Sequence, residues 1–428
     1  MNNSFKRTRL LLFTDAFPYP GGEESFLLPE YLMLRQKFDL HIIACCPKSS
    51  QAGVLPEYVN EKAKVRQFDT ALSLADKINA IKAFFNVFFW REIYNILKNG
   101  RQILSGIAYA IYFYAMADKC KRYIIKSGLL ETQENVIGYT FWNTYYTMAL
   151  CMLKKKHNNL SIVSRLHGYD LYNDRVEQGG RQLYKVYMDK LTDKLCFISY
   201  DGMQYYKENF AESMTGSDNK YIVSYLGVKA SPARNKSVFY RQGIFNIISC
   251  SRIIPLKRVE LIVQALSEMN EDYNIHWVHF GTGSEEATIK ELSEILLGNK
   301  PNITYEFKGS VSNREVLNYY STYPADCFIT TSEKEGLPVS IMEALAYGIP
   351  IIATDVNGIC EAVENEVNGY LLEATPAINS VAKAIQKMCS LPEREAVNMR
   401  DAAYSTWSRK FNSDENAVKL VKVIEDLE

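Results

Sequence analysis

Short apolar runs alternate with longer segments of helical period along most of the chain. This alternation is typical of α/β proteins with parallel sheets. The apolar runs predict strands at Leu10–Thr14, Leu40–Cys45, Asn135–Tyr139, Ser161–Leu166, Leu195–Ile198 and Tyr221–Val223, and then at Phe245–Cys250, His276–Phe280, Ile303–Phe307, Cys327–Thr330 and Pro350–Ala353. Two such series in succession predict two doubly wound domains.

The break between the two series lies in a polar stretch. Leu226-Gly227-Val228 ends the first series, and Phe245 opens the second. We therefore expect an N-terminal domain at residues 1–228 and a C-terminal domain at residues 229–405. Residues 406–428 contain a helix with one apolar face. That face needs a surface to pack on, and the N-terminal domain is one candidate.

Residues 76–128 interrupt the α/β rhythm with a helical segment rich in aromatic residues. Basic residues such as Lys82, Arg91 and Lys98 punctuate it. One interpretation is a helical pair that covers the sheet, which we favour slightly. The other is a surface that meets a membrane or a lipid-linked acceptor.

Composition excludes several classes of protein. The 428 residues, 47% of them hydrophobic, suit two folded domains, and 49 basic residues balance 49 acidic ones. A net charge of zero argues against nucleic acid as a partner. Nine scattered cysteines without a C-x-x-C spacing indicate reduced thiols and no metal site. No apolar run reaches membrane-spanning length, so we expect a cytoplasmic protein, with the inner face of the cell membrane as an alternative location.

The strongest motif follows the strand Cys327–Thr330, at the edge of the sheet where open α/β folds bind ligands. Pro338 suits the first position of a helix. The free amides around Leu337, Pro338 and Val339 would then form an anion site. Glu335 lies in the loop before this helix and Glu343 lies inside it, so their carboxylates can bind the hydroxyls at two ends of one elongated ligand.

Two further turns follow predicted strands in the second half. Arg252 and Lys257 come after Phe245–Cys250, where an arginine fork and a lysine charge can clamp a diphosphate. Arg258 is expected to be a solvated neighbour. Gly281 and Gly283 follow the next strand and lack the third glycine of a dinucleotide fingerprint.

The first half offers two candidate loops. Gly21 and Gly22 follow the first strand, and paired glycines allow a close approach to a ligand. His167 and Asp170 follow Ser161–Leu166, and Gly168 between them permits a turn that directs the imidazole into a cleft.

Glu335 and Glu343, with the surrounding E-G-L-P and E-A-L-A-Y-G-I-P, resemble the E-x7-E motif of family 4 glycosyltransferases. The resemblance implies a GT-B fold, with two Rossmann-like domains across a cleft, and retention of anomeric configuration. It implies that Glu335 contacts the donor sugar, that Glu343 holds the nucleotide ribose, and that His167 contacts the sugar near the reacting carbon. Arg252 and Lys257 would meet the diphosphate. In the family, the glycine turns lie near the donor, at positions matching Gly21, Gly22, Gly281, Gly283 and Gly336.

The same resemblance implies the substrates. The donor would be a nucleotide-diphosphate sugar of the UDP or GDP type, used by a hexosyltransferase without a further cofactor. The chain has no D-x-D, so we expect no metal. Similarity to enzymes of bacterial surface polysaccharides implies a glycan or lipid-linked acceptor. Asn357-Gly358 departs from the Gly-Gly pair of many members, so the donor sugar stays open. The sequence also leaves the oligomeric state open.

Three alternatives compete with transfer. A glycoside hydrolase also uses two carboxylates but needs no diphosphate clamp. A sugar-nucleotide epimerase with the same fold would change the donor without an acceptor. A non-catalytic nucleotide-sugar-binding protein would bind without turnover.

Overall fold

The computed structural model describes residues 7–19, 23–47, 55–59, 64–100, 102–132, 134–177, 180–211, 219–229, 234 and 243–428. The chain divides into two compact units. Unit 1 comprises Met1–Leu226 together with Asp414–Glu428, and unit 2 comprises Gly227–Ser413. The C-terminal helix therefore groups with the N-terminal part of the chain.

Unit 1 contains a seven-stranded parallel sheet in the order β3-β2-β1-β4-β5-β6-β7. Its strands are β1 Arg9–Thr14, β2 Asp39–Cys45, β3 Lys64–Phe68, β4 Val136–Thr140, β5 Leu160–Leu166, β6 Lys194–Phe197 and β7 Tyr221–Val223. Its helices are α1 Glu24–Lys37, α2 Leu74–Asn79, α3 Val87–Asn99, α4 Ile103–Lys126, α5 Tyr145–Lys154, α6 Lys185–Leu191 and α7 Tyr200–Phe210, and a 3₁₀ segment, Ala80–Phe85, joins α2 to α3.

Unit 2 contains a six-stranded parallel sheet in the order β10-β9-β8-β11-β12-β13. Its strands are β8 Phe245–Cys250, β9 Ile275–Phe280, β10 Ile303–Gly309, β11 Cys327–Thr330, β12 Ile351–Thr354 and β13 Gly369–Leu372. Its helices are α8 Val259–Ser267, α9 Glu286–Leu297, α10 Asn313–Thr322, α11 Val339–Ala346, α12 Ile359–Ala362, α13 Ile378–Cys389 and α14 Glu393–Thr406, and α15 Ser413–Glu425 then belongs to unit 1 but for its first residue.

The predicted α/β class with two parallel sheets is confirmed. Every predicted strand is present within about one residue at each end, except that β10 continues to Gly309. Two edge strands escaped prediction, β3 and β13. Lys64 and Arg66 make β3 polar, and its burial alternates along the strand. β13 has only four residues, which is too short to give a periodic signal.

In each sheet, the strand order reverses at the strand that comes first in the chain. In unit 1, β2 and β3 lie on one side of β1 and β4 lies on the other. In unit 2, β9 and β10 lie on one side of β8 and β11 lies on the other. Ligands of open α/β sheets bind at such a switch point, beyond the carboxyl ends of the strands. The loops after β1, β4, β5, β8, β9 and β11 contain all of the predicted site residues except those inside α11.

The helical segment between β3 and β4 covers one face of the unit 1 sheet. Ala110, Phe113 and Ile124 of α4 share a buried core with Leu11 of β1 and Ile43 of β2. This agrees with the favoured interpretation of residues 76–128. Among the described helices, none combines the length and the apolar character that a membrane crossing requires.

Candidate functional site

The loops after β8 and β11 are tied together by backbone and side-chain hydrogen bonds. Arg258 Nε donates to Thr331 O at 2.7 Å, and its Nη2 donates to Ser332 O and Ala374 O at 2.9 and 2.8 Å. Thr331 Oγ1 donates back to Arg258 O at 2.8 Å. Arg258 has φ 48 and is partly buried. It therefore fixes the loops, and the expectation of a solvated residue was wrong.

This framework brings Lys257 and Glu335 together. Lys257 lies in a 3₁₀ turn, Pro255–Lys257, and its Nζ forms an ion pair with Glu335 Oε1. Ser332 Oγ donates to the same oxygen at 2.7 Å. Arg252, in the same loop, is exposed, and its side chain makes no hydrogen bond or ion pair to any described residue. The site thus offers a cation already held against a carboxylate and a second cation open to solvent.

The helix α11 starts beside this pair. Pro338 is its N-cap, so the helix begins at Val339, one residue later than predicted, and no side chain caps the first turn. The first amides of a helix have no intrahelical acceptor, so this end can bind an anion. Leu337 is buried, whereas Val339 is partly accessible. The backbone at the start of the helix is therefore partly accessible at Val339.

Glu343 lies in the middle of α11 and is almost fully buried. Asn313 Nδ2 at the start of α10 donates to its Oε1 at 2.6 Å. Burial raises the pKa of Glu343 to about 7, and the Asn313 hydrogen bond offsets part of that rise. A carboxyl group with this pKa changes its charge near neutral pH, and a hydroxyl donor would favour its ionised form.

The two glycines after β9 are required by the protein backbone itself. A Cβ on Gly281, whose φ is 132, would lie 1.9 Å from Ser251 O, and one on Gly283 would lie 2.1 Å from Ile253 O. Ile253 N donates to Thr282 O at 2.9 Å. The glycines therefore bring the β9 loop against the β8 loop, which explains them without a ligand.

The loop after β12 reaches the motif loop. Asn357 has φ 48, and its Oδ1 accepts a hydrogen bond from Glu335 N at 3.4 Å. Gly358 N donates to Gly336 O at 3.2 Å. The segment in which this chain departs from many family members thus contacts the backbone that positions Glu335.

In unit 1, Asp170 is a buried acceptor that connects two strand ends. His167 N and Asn143 N each donate to it at 2.6 Å. Lys185, also buried, donates from Nζ to Asn143 O at 2.5 Å and to Asn143 Oδ1 at 2.8 Å. Burial raises the pKa of Asp170 despite the Lys185 charge, and burial lowers the pKa of Lys185 to about 8. The Asp170 carboxylate thus connects the loop after β4 to the loop after β5.

His167 is enclosed by aromatic rings. Its ring centroid lies 4.2 Å from that of Trp142 and 4.7 Å from that of Phe141. Neither ring nitrogen has a hydrogen-bond partner among the described residues, and the residue is only 5% exposed. Burial, followed by the nearby Arg165 charge, lowers the pKa of His167 well below its usual value. The imidazole is therefore neutral, with two polar atoms left for a hydrogen bond.

Glu23 organises the loop after β1. Its carboxylate accepts the amides of Asp15, Ala16 and Phe17 at 3.1, 2.7 and 2.8 Å, and the indole N–H of Trp142 at 2.6 Å. Asp15 is exposed at one edge, yet packing around its carboxyl group and the adjacent Glu23 raise its pKa to about 7. The predicted Gly21 and Gly22 lie outside the described residues.

A cavity of about 220 Å³ opens next to the Asp170 loop. Tyr109 and Phe113 of α4 line one part, and Asn143, Tyr169 and Arg175 line others. Aromatic rings combined with amide and guanidinium groups suit a sugar, because its ring faces are apolar and its hydroxyls need hydrogen bonds.

The structure places the predicted residues in two groups. Lys257, Glu335, Glu343 and the start of α11 belong to unit 2, and His167 and Asp170 belong to unit 1. Sequence reasoning missed Glu23, Asn143, Lys185 and Asn313. Glu23 directly follows the glycine pair, which was a usable signal, whereas the other three lie in segments without a motif.

Comparisons with known proteins agree with this geometry. Residues 235–406 match the family model described as glycosyl transferases group 1. An uncharacterized glycosyltransferase of Methanocaldococcus jannaschii is 24% identical over 330 residues, which cover 76% of this chain and 85% of the relative. The O-antigen biosynthesis glycosyltransferase WbnH of Escherichia coli is 31% identical over 215 residues, which cover 49% of this chain and 55% of the relative.

The fold extends over the whole chain. The crystal structure of Anabaena HepE in complex with UDP matches 98% of this chain and 100% of its own with a TM-score of 0.66, at 16% identity. The prediction of a GT-B fold is thereby confirmed.

Proposed function

Because residues 235–406 match the family model described as glycosyl transferases group 1, we propose that this chain transfers a sugar from a nucleotide-diphosphate sugar to a glycan acceptor with retention of configuration. The carrying observation is the Lys257–Glu335 ion pair beside the uncapped start of α11. Similar polysaccharide enzymes such as WbnH support a glycan as the acceptor. The structural neighbour that was solved with UDP makes UDP the first nucleotide to test.

The proposed roles follow the order of groups along a nucleotide sugar. The diphosphate would bind Arg252, Lys257 and the first amides of α11, because all three carry positive charge or partial charge. Since Lys257 is held against Glu335, a sugar attached to that diphosphate would meet the Glu335 carboxylate. The ribose hydroxyls would donate to Glu343, about one turn along α11 from Val339.

The chemistry needs charge stabilisation more than a strong base. The bond from the anomeric carbon to the phosphate oxygen breaks, the acceptor oxygen bonds to the same face, and its proton passes to the departing phosphate. Arg252 and Lys257 would stabilise the charge that develops on that phosphate. In unit 1, the neutral ring of His167 has two polar atoms able to bond a sugar hydroxyl. We propose no metal in this scheme.

Calorimetry with UDP, GDP and common nucleotide sugars tests the donor site. We expect one nucleotide to bind the wild type and to bind Lys257→Ala and Glu343→Gln at least about tenfold more weakly, the usual effect of losing one charged hydrogen bond. Lys383→Ala serves as a control, because this exposed side chain lies on α13. If the folded wild type binds no nucleotide, the proposal fails.

A transfer assay separates the proposal from its rivals. With the bound nucleotide sugar and a set of glycan acceptors, we expect a glycoside whose anomeric configuration, read by NMR coupling constants, matches the donor. Turnover of the donor without any acceptor would favour an epimerase, and binding without turnover would favour a non-catalytic module.

A further inference from the structure

The segment between β3 and β4 exposes an unusual amount of apolar surface. Ten of the 21 exposed large hydrophobic side chains in the described part of the chain lie within residues 74–104. Phe85 is 88% exposed, Leu104 84%, Leu74 75% and Val87 74%. Scattered single apolar residues are normal on a protein surface, but such a concentration marks an interaction site. We call the exposed side chains of residues 74–100 and of Leu104 the outer face.

The outer face is not a sign of loose packing. The opposite side of α3 is in the core, where Phe89, Ile93 and Ile96 are buried. Trp90 and Tyr94 of the same helix are exposed. A helix that is apolar on both sides has one side packed within the protein and another that requires a further apolar neighbour.

The charges of the outer face are segregated by sign. Its exposed ionisable residues in α2, the 3₁₀ segment and α3 are all basic, namely Lys77, Lys82, Arg91 and Lys98. The two acidic residues of these elements are buried instead. Asp76 accepts from Arg122 Nη2 at 2.7 Å, and Glu92 lies 3.7 Å from Arg181 Nε. A chain whose net charge is zero thus presents four positive charges among this concentration of exposed apolar side chains.

We propose that the outer face docks on the surface of a lipid bilayer that contains anionic phospholipid. Phe85, Val87 and Leu104 enter the boundary between head groups and acyl chains, while Lys82 and Arg91 bind lipid phosphates. Aromatic residues with basic neighbours suit this interface, where one end of the side chain is apolar and the other is wet. The face lies on the surface rather than across the bilayer, because α3 has 13 residues.

Charge decides between this occupant and a second copy of the chain. A symmetric dimer through the outer face would oppose the same four basic residues of each copy without any exposed acid in α2, the 3₁₀ segment or α3 to pair them. An anionic bilayer supplies the missing negative charge and the apolar environment together. The inference stands apart from sugar transfer, since it rests on unit 1 alone.

Flotation of the full chain with vesicles tests the docking. We expect the wild type to float with phosphatidylcholine vesicles that contain phosphatidylglycerol, to remain unbound with phosphatidylcholine alone, and to be released by salt. Phe85→Ser with Val87→Ser, and separately Lys82→Glu with Arg91→Glu, should each weaken binding about tenfold or more. The matched controls are Ile295→Ser and Lys383→Glu, exposed residues of unit 2 that should change nothing.

The fluorescence of Trp90 reports directly on the environment of the outer face. It is exposed, whereas Trp142, Trp277 and Trp407 are buried or partly buried. Anionic vesicles should shift the tryptophan emission to the blue, and Trp90→Phe should abolish that shift while thermal unfolding stays the same.

Three results would overturn the proposal. The first is a wild type that does not float with anionic vesicles, and the second is flotation that the outer-face variants leave unchanged or that neutral vesicles support equally. The third is a wild-type dimer without vesicle binding that Phe85→Ser with Val87→Ser converts into a monomer, which would assign the face to a second copy of the chain.

Discussion

The two units carry charged residues at equivalent strand ends but use them differently. In unit 1, Asp170 and Glu23 are buried and accept backbone amides, so their charge is bound by the protein itself. In unit 2, Arg258 has that structural role, while the neighbouring Lys257 bonds to the Glu335 side chain and Arg252 remains exposed. A charged residue at a strand end is therefore a ligand candidate only when the backbone does not already bind it.

The largest expected effect is on unit 1. Asp170→Ala leaves the buried amides of His167 and Asn143 without an acceptor, at about 1–3 kcal/mol each, so we expect a loss of about 4 kcal/mol in the free energy of unfolding. Urea denaturation measures it. Asp170→Asn keeps one acceptor oxygen and should lose about half as much. A fully stable Asp170→Ala protein with weakened donor binding would instead assign Asp170 to the ligand.

The next prediction compares two adjacent cations. Arg258→Ala removes three hydrogen bonds to backbone carbonyls, so the free energy of unfolding should fall by about 3 kcal/mol. Lys257→Ala should change that free energy by no more than about 1 kcal/mol, because the pair is partly solvated. Its nucleotide affinity should fall about thirtyfold, as measured by calorimetry. Equal stability losses in both variants would remove the distinction between the two residues.

His167 provides a test by pH. Its folded-state pKa is lowered, so below an unfolded pKa of about 6.5 only the unfolded chain takes up the proton. Stability is complete above that pH and decreases as the pH falls. Between pH 7 and pH 5 we expect the wild type to lose about 2 kcal/mol relative to His167→Phe in urea titrations. Parallel curves for the two proteins would show an imidazole that protonates in the folded state.

The smallest expected effect concerns Glu343. Unlike Asp170, this buried acid is proposed to bind the ligand. Its pKa is about 7, and in the proposed function ribose hydroxyls bind its ionised form. Nucleotide affinity should therefore rise about tenfold from pH 6 to pH 8. The nucleotide's own phosphate also titrates, so the measurement is the difference between wild type and Glu343→Gln by calorimetry. If that difference is zero, Glu343 does not change charge on binding.

Much of the fold could be predicted because buried parallel strands are continuous apolar runs. β8 and β11 have the predicted bounds for this reason. β3 could not be predicted, because an edge strand needs only one apolar side and Lys64 and Arg66 hide its period. The predicted motif residues do follow strand ends, but sequence alone could not tell Lys257 from Arg258, since the difference lies in which carbonyls Arg258 reaches.

The partners of the site came from farther away along the chain. Asn313 meets Glu343 from α10, and Lys185 meets Asn143 from α6. Neither has a local pattern, because an amide or a lysine becomes part of a site only when folding buries it next to a particular group. Residues 74–104 show the same limit. Their composition allowed two interpretations, a cover for the sheet and a membrane surface. In the structure, their buried side chains cover the sheet, and their exposed side chains form the outer face that we propose docks on a membrane.

The contact between the loop after β12 and the motif loop bears on which donor sugar the proposed site would accept. Asn357 Oδ1 and Gly358 N bond to the backbone of Glu335 and Gly336, while Arg258 bonds to the carbonyls of Thr331, Ser332 and Ala374. Substitutions at 357 and 358 can therefore move the backbone that carries the Glu335 carboxylate while the hydrogen bonds of Arg258 stay in place. Under the proposed function, exchanges at these two positions would change the contact to the donor sugar and leave the proposed phosphate contacts unchanged.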